Sequence, residues 1–312
     1  MPKIAISIGD INGIGLEIAL KSHNAISQIC EPVYVTHLEI VESAAKILGL
    51  SMPKDMKCVA DFELCADIQP GVVSKESGLY SYKSFLQAIK LTESRITQAL
   101  VTLPIHKKAW QEAGVESIGH TQVLSQYFGA DSIMMLGCEE MFVALYTDHI
   151  PLSKVSQSIS QDSIKAFLLS FARAVRLNEP CCVLGLNPHC GDDGLMGDED
   201  RYITQAVCEA NLALNKELFF GAYPPDSAFS PLNRKKFRYF VSQYHDVGLA
   251  PLKALYFEQS INVSLNLPIL RTSVDHGVGF DVAYKKSVKI HTQSYINAVK
   301  YAVDRKSKPL LA

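Results

Sequence analysis

Three histidines stand just past runs of apolar residues. MFVALYTDHIP carries His149, CCVLGLNPHCG carries His189 and YFVSQYHDVG carries His245, and Pro or Gly follows each within three residues. Ligands bind outside the carboxyl ends of strands in open parallel sheets. Imidazoles delivered there by three separate strands therefore suit one shared point. Three neutral nitrogen ligands that leave coordination positions open make a catalytic divalent-metal centre. Asp148 and Asp246 flank two of the three and suit metal ligation or acceptance of a ring N–H. Taken singly, each histidine reads equally well as an ordinary solvated loop residue. The coincidence of three strand ends is what points to a metal.

Other stretches offer anion-holding chemistry. Gly119-His120-Thr121 precedes the helix-like QVLSQYF, where Thr121 could cap a helix whose free N–H groups suit an anion. Lys253 follows HDVGLAPL and Arg271 ends LNLPILR. Each is a place to hold a phosphate or carboxylate, or a plain surface charge. SVDHGVGFDVAYKK carries Asp275, His276, Asp281 and glycines, which let backbone approach a ligand or simply make a surface turn. GDINGIGLEI offers only Gly13-x-Gly15, with Ile18 where a dinucleotide loop needs its third glycine. It reads as a tight turn into a helix.

Alternating segments must position these residues. KIAISIG precedes GIGLEIALKSH, PVYVTH precedes LEIVESAAKILGL, and SYKSFLQAIKLTESRI precedes ALVTLP. SIMMLG, MFVALYT, SIKAFLLSFARAVRL, CCVLGL, ITQAVCEANLALNKE and YFVSQY follow. Strands alternating with helices predict an α/β fold with a largely parallel sheet. A chain of 312 residues, 48% of them hydrophobic, builds a large core in one big or two medium domains. A net charge of −2 gives no field to attract nucleic acid or an anionic membrane. No stretch is long and apolar enough to span a bilayer. MPKIAISIGD reads as a first strand and not as a signal peptide. The eight cysteines include no C-x-x-C, so reduced, mostly buried thiols of a cytoplasmic protein are expected. Cys190, beside His189, is the one candidate for a reactive thiol.

Together the quoted stretches resemble one family, the 4-hydroxythreonine-4-phosphate dehydrogenases (PdxA) of vitamin B6 biosynthesis. ISIGDINGIGLEI is similar to the family's G-D-P-x-G-I-G-P-E. TLPIHKKA, GHTQVL, GLNPHCGDDGLMGDE, PPDSAF, YHDVGLAPLK and NLPILRTSVDHGVGFDVA match further blocks in the same order, nearly end to end. Ile11 and Leu16 stand where the family usually has Pro, and Tyr284 where it has Gly. The resemblance implies two α/β/α domains with a central cleft, like isocitrate and isopropylmalate dehydrogenases. Residues 1–125 plus 265–312 would form the cofactor-side domain. Residues 126–264 would carry the histidines and the dimer interface. The family's metal ligands fall on His149, His189 and His245, and its substrate contacts on His120, Thr121, Lys253, Asn262 and Arg271. His276, Gly277 and Asp281 resemble an adenine-side loop for NAD or NADP. The family's active site is shared across a homodimer.

The implied substrate is 4-phosphooxy-L-threonine, a small phosphorylated hydroxy amino acid. Its carbinol gives a hydride to NAD(P), and the β-keto acid so formed loses CO2 to leave 3-amino-2-oxopropyl phosphate. One divalent metal would stabilise the oxygen that gains charge. Imidazole suits zinc, cobalt or nickel, while magnesium prefers oxygen. Asp226 and Asp246 are candidates to move the proton, or else Asp226 caps a turn and Asp246 orients a ligand. The rivals are an oxidative decarboxylase of threonate or erythronate 4-phosphate, a metal-dependent phosphate-ester hydrolase, and a sensor on the same scaffold.

Overall fold

The computed structural model describes residues 1–117 and 119–305. Ile118 of the loop before His120, and 306–312 of the expected cofactor-side domain, lie outside the described residues. The chain divides into two compact units: Met1–Ala130 joined by the described residues from Ile261 onward, and Asp131–Ser260.

The first unit begins with β1 (Lys3–Ser7), α1 (Gly15–Ile26), β2 (Glu31–Val35), α2 (Leu38–Leu48) and β3 (Lys57–Val59). It continues through α3 (Lys75–Glu93), β4 (Ala99–Thr102), α4 (Lys107–Glu112) and α5 (His120–Phe128). The second unit holds β5 (Ile133–Cys138), β6 (Met141–Leu145), α6 (Val155–Ser158), α7 (Gln161–Val175) and β7 (Cys181–Leu184). After a 3-10 segment, Pro188–Gly194, come α8 (Glu199–Leu214), β8 (Phe219–Tyr223), α9 (Pro225–Ala228), α10 (Pro231–Lys236), β9 (Tyr239–Ser242) and α11 (His245–Tyr256). The chain then returns to the first unit with β10 (Ile261–Leu265), β11 (Arg271–Val274) and α12 (Gln293–Arg305).

In the first unit the strands lie in the order β3-β2-β1-β4-β11-β10. All pair in parallel except β10, which runs antiparallel to β11. Every residue of β4 and β11 is buried, as strands covered on both faces require. Around β4 pack Phe85, Trp110, Val123, Leu124, Leu267 and Ile269. α3 starts where Ser74 accepts a hydrogen bond from the Ser77 amide at 3.1 Å, satisfying one of the helix's unpaired donors.

In the second unit the order is β5-β6-β9-β7-β8, with β5 and β6 antiparallel and the rest parallel. α7 covers this sheet with Ile164, Leu168, Phe171, Ala172 and Val175, the spacing of one helical face. Adjacent Cys181 and Cys182 are both fully buried, because alternate residues of a strand face opposite sides. All eight cysteines are free. No helix among the described residues is long and apolar enough to cross a membrane.

Two local expectations change. His245 does not stand in a loop; it is the first residue of α11, whose Gly248 and Pro251 disguise the helix in the sequence. Gly248 is there because a Cβ would come within 2.7 Å of both Ser242 and Val143, so only glycine lets α11 close on β6 and β9. Thr121 does not cap α5. The helix begins one residue earlier, at His120, and Gly119 occupies the N-cap position with no side-chain cap.

Candidate active site

In the second unit, β6, β9 and β7 are neighbours, and their C-terminal ends lead to His149, His245 and His189. The rings of His149 and His245 lie 5.6 Å apart between centroids. Asp246 Oδ1 sits 2.7 Å from His245 Nδ1, and its Oδ2 accepts from the Tyr244 hydroxyl at 3.0 Å. These bonds, His245's first, hold the Asp246 carboxyl below the usual carboxylate range. Asp148 lies 3.6 Å from His149 Nδ1, beyond hydrogen-bond reach but on the same side of the ring. A carboxylate at Nδ1 favours the tautomer whose Nε2 lone pair is free to ligate.

His189 does not join them. Among the described residues no three His, Cys, Asp or Glu side chains are arranged to hold a metal ion. The three imidazoles are thus not gathered into one such group among the described residues. His189 is exposed in the turn after β7, where it and Cys190, Asp192 and Asp193 all have positive φ. Buried Asp200 anchors that turn by accepting from the amides of Leu186 (2.8 Å) and Asn187 (3.1 Å) and from the Asn187 side chain (2.9 Å). Burial pushes the Cys190 thiol up to about 11, with Asp200 and Asp226 adding to it, which disfavours the thiolate form that reactivity needs. Asp226 is exposed on α9, and Lys253 lies on α11 with its ammonium 5.9 Å from the Phe257 ring centre.

The first unit holds a different cluster. β11 reads RTSV, so Arg271 and Ser273 share one face while Thr272, on the other, donates to Ala298 of α12. Arg271 is 3% exposed. Its Nε and Nη2 donate to Thr102 Oγ1 at 3.1 and 2.7 Å, and its Nη1 donates to Ser264 Oγ at 3.2 Å. No carboxylate among the described residues pairs with it. Burial alone lowers its pKa to about 9, which still leaves it charged near neutral pH.

His120 packs edge-on against Phe85 and Trp110, with centroids at 4.6 and 5.4 Å. Burial first, and then the Arg271 charge, keep this ring well below the usual histidine range and hence neutral. Its Nε2 and the Oδ1 of Asn262 on β10 are buried without a hydrogen-bond partner among the described residues. Unmet buried polar atoms around an unneutralised cation fit an anionic, hydrogen-bonding ligand. Thr102 and Ser264 carry no mark in the sequence, because a hydroxyl in a strand gives no signal of what it will touch.

The loop after β11 carries His276, Gly277 and Asp281. His276 Nδ1 is 3.1 Å from the Gly277 carbonyl oxygen, and Gly277 and Asp281 are exposed. This loop is zipped to the turn before α1. The Ile14 amide donates to the Val278 carbonyl at 3.0 Å, and the Tyr284 hydroxyl donates to the Ile11 carbonyl at 2.7 Å. A Cβ on Gly13 would lie 2.6 Å from the Val278 oxygen, so Gly13 serves this close approach.

The family model described as pyridoxal phosphate biosynthetic protein PdxA matches residues 28–302 of the chain. A 4-hydroxythreonine-4-phosphate dehydrogenase of Campylobacter fetus is 52% identical over 307 residues, covering 97% of this chain and 98% of the relative. One from Sulfurimonas denitrificans is 50% identical over 301 residues, covering 96% and 97%. The crystal structure of a 4-hydroxythreonine-4-phosphate dehydrogenase from Burkholderia phymatum superposes with a TM-score of 0.81 at 29% identity, covering 97% of this chain and 98% of that one.

Proposed function

The chain belongs to the PdxA family of pyridoxal phosphate biosynthetic proteins, and from that premise we propose that it is a 4-hydroxythreonine-4-phosphate dehydrogenase. Its substrate is 4-phosphooxy-L-threonine, oxidised at the carbinol carbon with NAD(P) and decarboxylated to 3-amino-2-oxopropyl phosphate. The observation that carries this reading is Arg271, a buried cation with no carboxylate partner among the described residues. A guanidinium has five N–H groups. Hydroxyls take three of them, one on each nitrogen, which leaves one N–H on each terminal nitrogen for an anion.

Arg271 binds an anionic end of the substrate through these two N–H groups, and neutral His120 donates to it through Nε2. Asn262 offers its buried Oδ1 to a substrate donor, and Thr121 lines the same helix start as His120. Lys253 is a second cation suited to an anionic group. Holding an anionic end at Arg271 orients the carbinol, which converts binding energy into rate. Asp246 orients His245, while exposed Asp226 moves the proton that leaves the hydroxyl and returns to carbon.

His149 and His245 would hold a divalent cation, with His189 from a second copy of the chain completing the set. Such a cation supplies Lewis acidity to the oxygen that gains charge, and an all-nitrogen set suits zinc, cobalt or nickel better than magnesium. His276, Gly277 and Asp281 would hold NAD or NADP, which supplies the hydride acceptor. The first unit is then the cofactor side, and the second carries the histidines and the homodimer face. Exposed Leu152, Leu195 and Val247, close in sequence to His149, His189 and His245, support burial against a second copy. Free thiols suit the cytoplasm.

Purified protein is given 4-phosphooxy-L-threonine and NAD+ or NADP+, and absorbance at the reduced-nicotinamide band is followed with and without a chelator. The expected result is reduction that the chelator stops. Phosphate release without reduction, or reduction with threonate 4-phosphate alone, would replace the proposal with a hydrolase or with a paralogous dehydrogenase.

A further inference from the structure

We propose that Thr102, assisted by Ser264, is the positioning residue that aims Arg271. The inference rests on the reading of Arg271 as the substrate's anion clamp and goes one layer deeper. Thr102 is the last residue of β4 and pairs in register with Ser273, while Leu100 pairs with Arg271. Thr102 therefore lies diagonally from Arg271 on the same face of the sheet. Ser264, on the other neighbouring strand, stands directly opposite Arg271. Arg271 is thus braced from both sides, by a fully buried β4 and by a Ser264 that is itself buried.

The choice of hydroxyls matters. An Asp or Glu at either position would fill the guanidinium fork and cancel its charge. A hydroxyl satisfies a buried N–H but leaves the positive charge for the ligand. Thr102 Oγ1 accepts from both Nε and Nη2, so it occupies one whole edge of the planar group. Ser264 takes one N–H from Nη1. What is left free is one N–H on each terminal nitrogen. That is the arrangement for a bidentate grip on a carboxylate or phosphate. A β-branched residue has few rotamers, so Thr102 holds its hydroxyl more firmly than a serine would.

The test is steady-state kinetics with 4-phosphooxy-L-threonine on wild type, T102V, T102S, S264A, R271A and the double variant T102V/R271A, with circular dichroism to verify folding. T102V keeps shape and removes the acceptor. It is expected to raise KM by about 10- to 50-fold, with kcat changed by less than about threefold, since two donors lose their partner. T102S, which restores the hydroxyl, is expected within about threefold of wild type, and S264A at several-fold.

The decisive measurement is the double variant. A residue that acts only through Arg271 adds less than about twofold once Arg271 is gone. An unchanged KM in T102V while R271A raises it, or a full T102V factor on top of R271A, overturns the positioning role alone. An unchanged KM in R271A overturns the clamp reading, and the proposal with it. If T102V does not fold, S264A decides in its place: a KM effect that vanishes with R271A supports the proposal, and one that persists or is absent from the outset refutes it.

Discussion

Arg271 in the first unit and the His149–His245 pair in the second are both built to meet charge, yet they are built in opposite ways. Arg271 is 3% exposed and held by two strands. The His149 and His245 side chains are 57% and 32% exposed, each with a carboxylate on one side and no third ligand among the described residues. The interior site is finished by its own chain, because neighbouring strands fix its geometry before any ligand arrives. The edge site has its orientation set, but as a metal site, the role proposed for it, its coordination would be incomplete. A region closed by packing can be preorganised within one protomer, whereas a region left at a surface needs another molecule to finish it.

Removing an imidazole from the incomplete edge site should cost the most. H189A and H245A are each expected to lose bound metal and nearly all turnover, at least about a thousandfold, which corresponds to several kcal/mol of stabilisation. Neither should move Tm by more than about a degree or two, since neither ring is packed in a core. Mixing the two inactive variants should restore part of the activity if each site draws on both chains, because one site of the mixed dimer keeps every imidazole. Mixtures that remain dead after verified subunit exchange would mean that one chain supplies all the ligands, and the contrast between the regions would fail.

The interior site should respond differently, losing function while gaining stability. R271M removes a buried charge that no carboxylate among the described residues balances and keeps most of the side-chain volume. KM is expected to rise about 100-fold or more. Folding should gain roughly 1–3 kcal/mol, because an apolar residue of similar size replaces a desolvated ion. Kinetics and denaturant unfolding measure the two together. A destabilised R271M would show that the guanidinium is held for the fold rather than for a ligand.

The same contrast explains what was legible in the sequence. Strand ends are written in runs of apolar residues stopped by Pro or Gly, so the α/β alternation and the positions of His149 and His189 could be read directly. α11 could not, because Gly248 and Pro251 are turn residues by type and only packing against Val143 and Ser242 explains Gly248. Arg271 reads in the sequence equally well as an anion holder or a plain surface charge, since burial of a single Arg depends on strands distant in sequence. Thr102 and Ser264 are invisible there for the same reason. Gly13-x-Gly15 reads as a turn into a helix, and its physical cause, the approach of Val278, needs the fold. That His149 and His245 come together while no three-ligand group forms among the described residues is a tertiary matter with no local signature.

A third test asks whether burial, and not charge alone, separates the two regions. Asp10 is fully buried in the first unit, where burial lifts its carboxyl to about 6 despite bonds from the Asn12 amide and the Ser77 hydroxyl. Asp246, exposed in the second unit, moves the other way. A folded pKa raised above the unfolded value means that the folded state binds the proton more tightly. This stabilising contribution is present below about pH 4 and is lost as pH rises through about 6. Relative to D10N, wild type should therefore weaken by about 2–3 kcal/mol between pH 4 and pH 7, since each pH unit between the unfolded and folded pKa values is worth about 1.4 kcal/mol. Parallel pH–stability curves for the two proteins would remove Asp10 from the account.

A subtler difference separates two loops. The turn at His189 strings together four non-glycine residues of positive φ on an exposed edge, while Tyr284 adopts φ 58° inside the first unit. A bulky residue in the left-handed region is strained, so something must hold it there. Tyr284 is 8% exposed, and its hydroxyl donates to the Ile11 carbonyl, joining the loop of His276 and Asp281 to the turn before α1. Y284F keeps the packed ring and deletes only this bond, leaving the Ile11 oxygen without that donor. The expected cost is about 1 kcal/mol. It should appear as faster amide exchange confined to 276–285 and a several-fold weaker affinity for NAD(P), with KM for the phosphorylated substrate unchanged. Exchange that stays as slow as in wild type would mean that packing alone fixes this loop, and that the interior needs no polar latch to be more rigid than the edge.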